Sequence, residues 1–380
     1  MLPAMRKEGT TKDLPRATIR DVARAAGVSA ATVSRALHPA ASASPAMRAK
    51  VQRAATGLGY SPNIIARSLS RGQSGIIALI LPEPSGPFYA EAVAAAARAL
   101  KALDRRLMVV ETDEDGVDAA IAGVMPYAVD GLILASALPA AETLQVCRRE
   151  GRPVVLFNRQ AATPDLPFVA CDDRAAGLAA GRLLAESGHA RPAFLGGTPG
   201  SPTHRDRLAG FRAALRAAGL PAPAVACGAW RYEPGLAAAT TLLRGRAPPD
   251  ALFCANDVMA CAQVDAARRL GLSVPRDLSV LGFDDSLGAA WEAYRLTTFR
   301  VPVARMIAAA IEALTAPAGT RPLQALLPAE LVERGSVAPR GAALSPPRTG
   351  AQGPRDRSPQ RPTSPIPGNG SARPPSRSSG

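Results

Sequence analysis

Residues 18–37 read TIRDVARAAGVSAATVSRAL. Ile19, Val22, Ala23 and Ala26 recur at helical spacing, which predicts a short helix over residues 18–26. Gly27 stops it. Ser29 then supplies an N-cap hydroxyl, and ATVSRAL forms a second helix with Val33 and Leu37 on one side. A helix, a tight glycine-containing turn and a second helix with a capped start make a helix-turn-helix. A third helix from about Pro45 turns Met47, Val51, Ala54, Ala55 and Leu58 inward, and Gly57, Gly59 and Pro62 mark its end. Any small three-helix bundle shares this periodicity, so the pattern alone assigns no role.

Charge follows the same division. The 380 residues carry a net charge of +14. Residues 1–70 hold 11 Lys and Arg against 3 Asp and Glu, residues 341–380 hold 6 Arg against 1 Asp, and the stretch between is nearly neutral. A basic head on a neutral body fits a nucleic-acid-binding module joined to something else. On charge alone, a solvated basic surface fits as well. The tail holds 9 Pro, 6 Gly and 7 Ser, with Leu344 and Ile366 its only large aliphatics. Such a segment cannot bury enough apolar surface to offset its ordering entropy, so residues 339–380 are expected to be disordered. Residues 1–16 are expected to be a disordered leader.

Apolar residues are 47% and aromatics 4% of the chain, which predicts a core built on Ala, Leu and Val. Five scattered Cys with no C-x-x-C pair argue against a disulfide scaffold or a zinc ribbon. Three His far apart argue against a His metal site, so no metal or cofactor is expected. No apolar stretch approaches the roughly 18 residues that span a bilayer, and no signal-peptide core is present. The expected setting is cytoplasmic, with no membrane partner.

In the body, SGIIALILP (residues 74–82) is a continuous apolar run bounded by Gly and Pro, as in a strand buried on both faces. An Ala-rich amphipathic helix follows, then the strand LMVVETD, and VDGLILAS and RPVVLFN continue the alternation. The rhythm restarts after Asp173 and runs to LSVLGFD, residues 278–284. Alternating strands and helices imply parallel sheets covered on both faces, and two runs imply two lobes. The run contains no phosphate loop, nucleophile elbow or zinc-protease motif, and Gly196–Gly197 lacks the dinucleotide spacing. The doublets Asp172–Asp173 and Asp284–Asp285 fit helix capping or ligand hydrogen bonding better than catalysis. An enzyme is therefore disfavoured.

The run at residues 18–37, followed by GYSPNIIARSL at residues 59–69, strongly resembles the headpiece of the LacI/GalR family of transcriptional regulators. PFYAE, VACDDRAAG, GHARPAFLGG, HRDRLAGFRAAL, CANDVMA, SVLGFDDS and LTTFRVP resemble that family's core, in order. The resemblance implies a helix-turn-helix domain over residues 17–62, a hinge helix and linker over 63–73, and a two-lobed core like the periplasmic binding proteins over 74–338. It implies lobe crossings near 170, 299 and 328, and a helix over residues 303–316 that returns to the first lobe.

The resemblance places the second helix in the major groove of double-stranded DNA. Thr18, Ser29, Ala30, Ala31, Thr32, Ser34 and Arg35 are the implied DNA-contacting residues there. Arg35 can bond bidentately to guanine, whereas Ala30 and Ala31 can offer bases only apolar contact. Asn63, Ala66 and Leu69 are carried over from the hinge, with Leu69 as the minor-groove wedge. In the cleft, Phe88 and Tyr89 line one lobe and Asn158 replaces an Asp found in several relatives. Arg207 offers a fork, Trp230 a stacking platform, and Asn256 and Asp284 hydrogen bonds to hydroxyls. The implied effector is small and polar, a sugar, polyol or sugar acid, with a purine as the alternative. The implied assembly is a homodimer on a palindromic operator, because a two-fold site mirrors a two-fold protein.

Overall fold

The computed structural model describes residues 17–37, 43–60, 74–84, 86–113, 116–161, 163–317 and 319–340. The head contains α1 (Ile19–Ala26), α2 (Ala30–Ala36) and α3 (Pro45–Gly57). Thr18 and Asp21 form a reciprocal capping box on α1, with the Thr18 N–H donating to Asp21 Oδ2 at 2.9 Å. Gly27 ends the helix in the left-handed conformation at φ 59°, where a glycine carries no Cβ penalty. Ser29 Oγ accepts from the Thr32 N–H at 3.1 Å and starts α2. Val22, Val33 and Val51, one from each helix, are fully buried together.

Leu58 departs from expectation. It is 42% exposed, because α3 has already ended and the chain reverses at Gly59 (φ 60°). Tyr60 packs against the small core instead, its N–H donating to the Ala55 carbonyl at 2.8 Å.

The body is two parallel-sheet lobes. The first contains β1 (Ile76–Leu81), α4 (Pro87–Ala102), β2 (Arg106–Glu111), α5 (Val117–Val124), β3 (Gly131–Leu134), α6 (Ala141–Arg149), β4 (Val154–Phe157) and β5 (Phe168–Cys171). The second contains α7 (Asp173–Glu186), β6 (Pro192–Gly196), α8 (Pro202–Ala217), β7 (Ala224–Cys227), α9 (Tyr232–Leu243), β8 (Ala251–Cys254), α10 (Asp257–Arg269), β9 (Ser279–Asp284) and β10 (Thr297–Arg300). The chain then returns to the first lobe with α11 (Val303–Thr315) and β11 (Gln324–Leu327), and ends in the second with β12 (Glu330–Val332). The strand orders are β11-β5-β4-β3-β1-β2 and β12-β10-β9-β8-β6-β7. Among the described strands, only β12 runs antiparallel, on β10. The three crossings fall between β5 and α7, between β10 and α11, and between β11 and β12, where the family resemblance places them.

β1 shows why its sequence is apolar throughout. Ile77, Leu79 and Leu81 pack with Ala92, Ala96 and Leu100 of α4 on one face. Ala78 and Ile80 pack with Val117 and Ile121 of α5 on the other. The rings are fewer than the aliphatics but concentrated: Phe194, Phe211, Phe253, Phe283 and Phe299 form a chain of contacts through the second lobe, with centroids 5.4–6.4 Å apart.

α7 and α8 pack backbone to backbone. A Cβ on Gly177 would lie 2.1 Å from the Arg207 carbonyl oxygen, and one on Gly210 would lie 2.1 Å from the Arg174 carbonyl oxygen. Each helix thus reserves a glycine for the other's backbone. This close approach brings Asp173 and Arg207, 34 residues apart in the chain, within reach of each other.

Candidate functional site: the cleft between the lobes

Both sheets present the carboxyl ends of their parallel strands to one cleft, the position at which open α/β sheets bind ligands. The cleft holds a cavity of about 270 Å³. The first lobe contributes Phe88 and Tyr89 from the start of α4, Ser136 beyond β3, and Asn158 and Arg159 beyond β4. The second contributes Arg207 from α8, Trp230 before α9, Asn256 before α10 and Asp284 at the end of β9. All seven cleft residues singled out in the sequence line this one cavity. Ser136, Arg159, Thr198 and Ser286 also line it and were not singled out. Their only common signal is a place just past a strand's carboxyl end.

The geometry revises two of the expected roles. Arg207 is 3% exposed, donates Nε to Asp173 Oδ1 at 2.7 Å and Nη1 to the Ala255 carbonyl, and stacks 3.5 Å from the Phe283 ring centroid. Its fork is therefore largely occupied within the protein, leaving Nη2 for a ligand. Asn256 Oδ1 accepts from the Met259 N–H at 2.9 Å and caps α10, while Nδ2 donates to the Trp230 carbonyl at 3.0 Å. Asn256 thus acts first by holding Trp230. The Trp230 ring lies on the backbone of Gly197, whose Cβ would fall 1.9 Å from it. That contact accounts for Gly197.

Phe88 meets Tyr89 edge-on at 5.1 Å and Phe157 at 6.2 Å. The Tyr89 hydroxyl donates to the Ala135 carbonyl at 3.3 Å. Burial pushes the Asp284 carboxyl well above the usual carboxylate range; Arg207 opposes this, and Asp257, Asp173 and Glu91 add to it. At the rim, Glu83 and Arg231 pair across the lobes at 3.8 Å, both well exposed.

Behind the cleft, Asp257 is 1% exposed, accepting from Thr298 Oγ1 at 2.6 Å and from the Ser286 N–H at 2.7 Å. Burial raises its pKa to about 6 despite these bonds. A carboxyl whose folded pKa exceeds its unfolded value of 3.8 stabilises fully below that value. The contribution is lost as pH rises towards 6. Asp257→Asn can accept the Ser286 N–H on Oδ1 and donate Nδ2 to the Thr298 hydroxyl, without the charge. Its stability relative to the unaltered protein is expected to rise between pH 4.5 and 7, as read from denaturant midpoints. A difference independent of pH would refute the ionisation.

In the head, Ala31, Ser34 and Arg35 are exposed, as a base-reading face requires. Ala30 and Thr32 are partly buried: Ala30 packs against the small core, and the Thr32 and Ser29 hydroxyls lie 2.9 Å apart. The Thr18 hydroxyl donates to Asp21 at 2.7 Å. Asn63, Ala66 and Leu69 lie outside the described residues. No helix among the described residues is long and apolar enough to cross a membrane.

Residues 74–300 match the family model described as periplasmic binding proteins and sugar-binding domain of the LacI family. Residues 18–63 match that of bacterial regulatory proteins of the lacI family. The chain belongs to the LacI family. It is 32% identical to the HTH-type transcriptional regulator DegA of Bacillus subtilis (strain 168) over 85% of this chain and 98% of the relative. Among solved structures it is similar to the lac repressor dimer bound to operator and an anti-inducer, with a TM-score of 0.75 and 26% identity. That match covers 85% of this chain and 99% of that one. It is also similar to the regulator CelR in complex with cellobiose, with a TM-score of 0.62 and 30% identity over 84% of this chain and 100% of that one. This LacI-family chain is thus a DNA-binding transcriptional regulator, not an enzyme, and residues 74–300 form its match to the family's sugar-binding domain.

Proposed function

We propose that this regulator is a cytoplasmic repressor that binds a palindromic operator as a homodimer and is controlled by a small polar effector, a sugar, polyol or sugar acid, held between its lobes. The observation that carries the reading is the convergence of Phe88, Tyr89, Asn158, Arg207, Trp230, Asn256 and Asp284 on one cavity at the carboxyl ends of two parallel sheets. A few polar groups set among apolar and aromatic walls make a site for one small ligand. A ligand acts on the DNA only through unequal affinity for two lobe arrangements, typically a coupling of about 1–3 kcal/mol. A gel shift on a library of palindromic duplexes tests the DNA reading, and sedimentation at micromolar concentration tests the dimer; a stable monomer or tetramer would contradict it.

Ala31, Ser34 and Arg35 are the residues proposed to read bases, with Ser29 and Thr32 shaping the helix start and Thr18 ordering α1. Leu69, with Asn63 and Ala66 in the same motif, is proposed to wedge into the minor groove. Leu69→Ala is expected to weaken operator binding much more than binding to random DNA at matched salt, because the latter is mainly phosphate attraction. Equal losses on both DNAs would remove the wedge.

A further inference from the structure

Most charges around the cleft are matched from within. Arg207 is paired with Asp173 at 2.7 Å, and Glu83 with Arg231 at 3.8 Å. Burial drives the Asp284 carboxyl towards its neutral form. Arg159 is different. It is partly buried, lines the cavity, and has no ion pair or hydrogen bond among the described residues. The cleft therefore holds a surplus positive charge on the wall of the first lobe.

Ser136 lines the same cavity. β3 and β4 are parallel neighbours with Leu134 opposite Leu156, so the segments that follow them, with Ser136 on one and Asn158 and Arg159 on the other, leave adjacent strand ends. Ser136 is 2% exposed, and its Oγ has no hydrogen-bond partner. A buried hydroxyl without a partner costs free energy, and the partly buried Arg159 guanidinium has donors left over on the same cavity wall. One acceptor-rich anionic group would satisfy both. A planar guanidinium matches the paired oxygens of a carboxylate or phosphate. Asn158, neutral and facing the same cavity, adds no repulsion to an anion.

We propose that the effector is anionic, and that its carboxylate or phosphate docks on Arg159 and Ser136. This rests on the reading of the cleft as an effector site and names the ligand's class. The cavity of about 270 Å³ suits a monosaccharide-sized molecule, just below the roughly 300–1,000 Å³ typical of ligand pockets.

The test is calorimetry on the full-length protein with matched sets: glucose, galactose and ribose; glucuronate, galacturonate and ribonate; and glucose 6-phosphate, galactose 6-phosphate and ribose 5-phosphate. At least one acid or phosphate is expected to bind 10-fold or more tightly than its neutral parent, and the acid and phosphate arms separate the two sources of charge. Arg159→Gln is expected to weaken that compound about 10- to 100-fold, the scale of one charge-assisted hydrogen bond. Arg159→Lys, which keeps the charge without the fork, should lose less, and Ser136→Ala should lose about 3- to 10-fold. Cooperative melting of each ligand-free variant reports folding. A neutral sugar binding at least as well as its acid and phosphate, or an unchanged anion affinity in Arg159→Gln, would overturn the proposal. If no compound binds in any arm, the carbohydrate effector reading falls, and this inference falls with it.

Discussion

Arg207→Ala is expected to destabilise the second lobe by about 3–5 kcal/mol, because it leaves the buried Asp173 carboxylate without its cation. The Ala255 carbonyl and the Phe283 ring lose their partner in the same step. Against a typical total of roughly 5–15 kcal/mol, that loss would unfold a large share of the molecules at elevated temperature. The measurement is the denaturant midpoint at constant slope. Adding Asp173→Ala to Arg207→Ala should recover part of the loss, since no buried charge is then unpaired. A single-variant loss below about 1 kcal/mol would mean that the pair is solvated and that Arg207 is free for ligand. The prediction also bears on any effector experiment: a failed response in Arg207→Ala reports folding before it reports binding, so Asp284 and Arg159 are the better probes of the cleft.

Gly210→Ala is expected to cost about 3 kcal/mol or more. The new Cβ would meet the Arg174 carbonyl oxygen at 2.1 Å and the Leu178 nitrogen at 2.7 Å, both backbone atoms of α7. Overpacking usually costs about 1–3 kcal/mol when side chains can yield, and here the obstacle is a helix backbone. Pushing α8 away from α7 also strains the Arg207–Asp173 pair, which joins the same two helices. Gly123→Ala provides the contrast. Gly123 is an exposed helical glycine of α5 with nothing within 4 Å of a built Cβ, so there the same change should stabilise by about 0.5–1 kcal/mol. Thermal melts of both variants check the pair. A mild effect at Gly210 would show that the two helices are not in backbone contact.

Much of this architecture is written locally. The helix-turn-helix follows from Thr18, Gly27 and Ser29, which act within three or four residues of themselves, so their capping roles are legible before any fold exists. The alternation of strand and helix is equally local, and it reveals where strands end, hence where a cleft residue such as Asn158 or Asp284 must stand. The pattern is weakest where a strand is short or lies at an edge. β12 has three residues and pairs antiparallel on β10, and β7 keeps Val225 37% exposed; neither leaves a long apolar run. Leu58 was misplaced because helical spacing continues past Gly57, whereas the chain turns at Gly59 and sends Tyr60 inward.

The sequence alone determined the fold class, the order of the domains and which side chains converge on the cleft, because periodicity, capping and family motifs are carried by neighbours along the chain. The tertiary structure alone decided what those side chains have left to offer. Arg207 is occupied by an Asp173 that is 34 residues away, Asn256 by the Trp230 carbonyl 26 residues away, and Arg159 by nothing among the described residues. Hydrogen-bond satisfaction is a property of partners brought together by packing, and spacing along one chain does not encode which donors remain free once those partners have met.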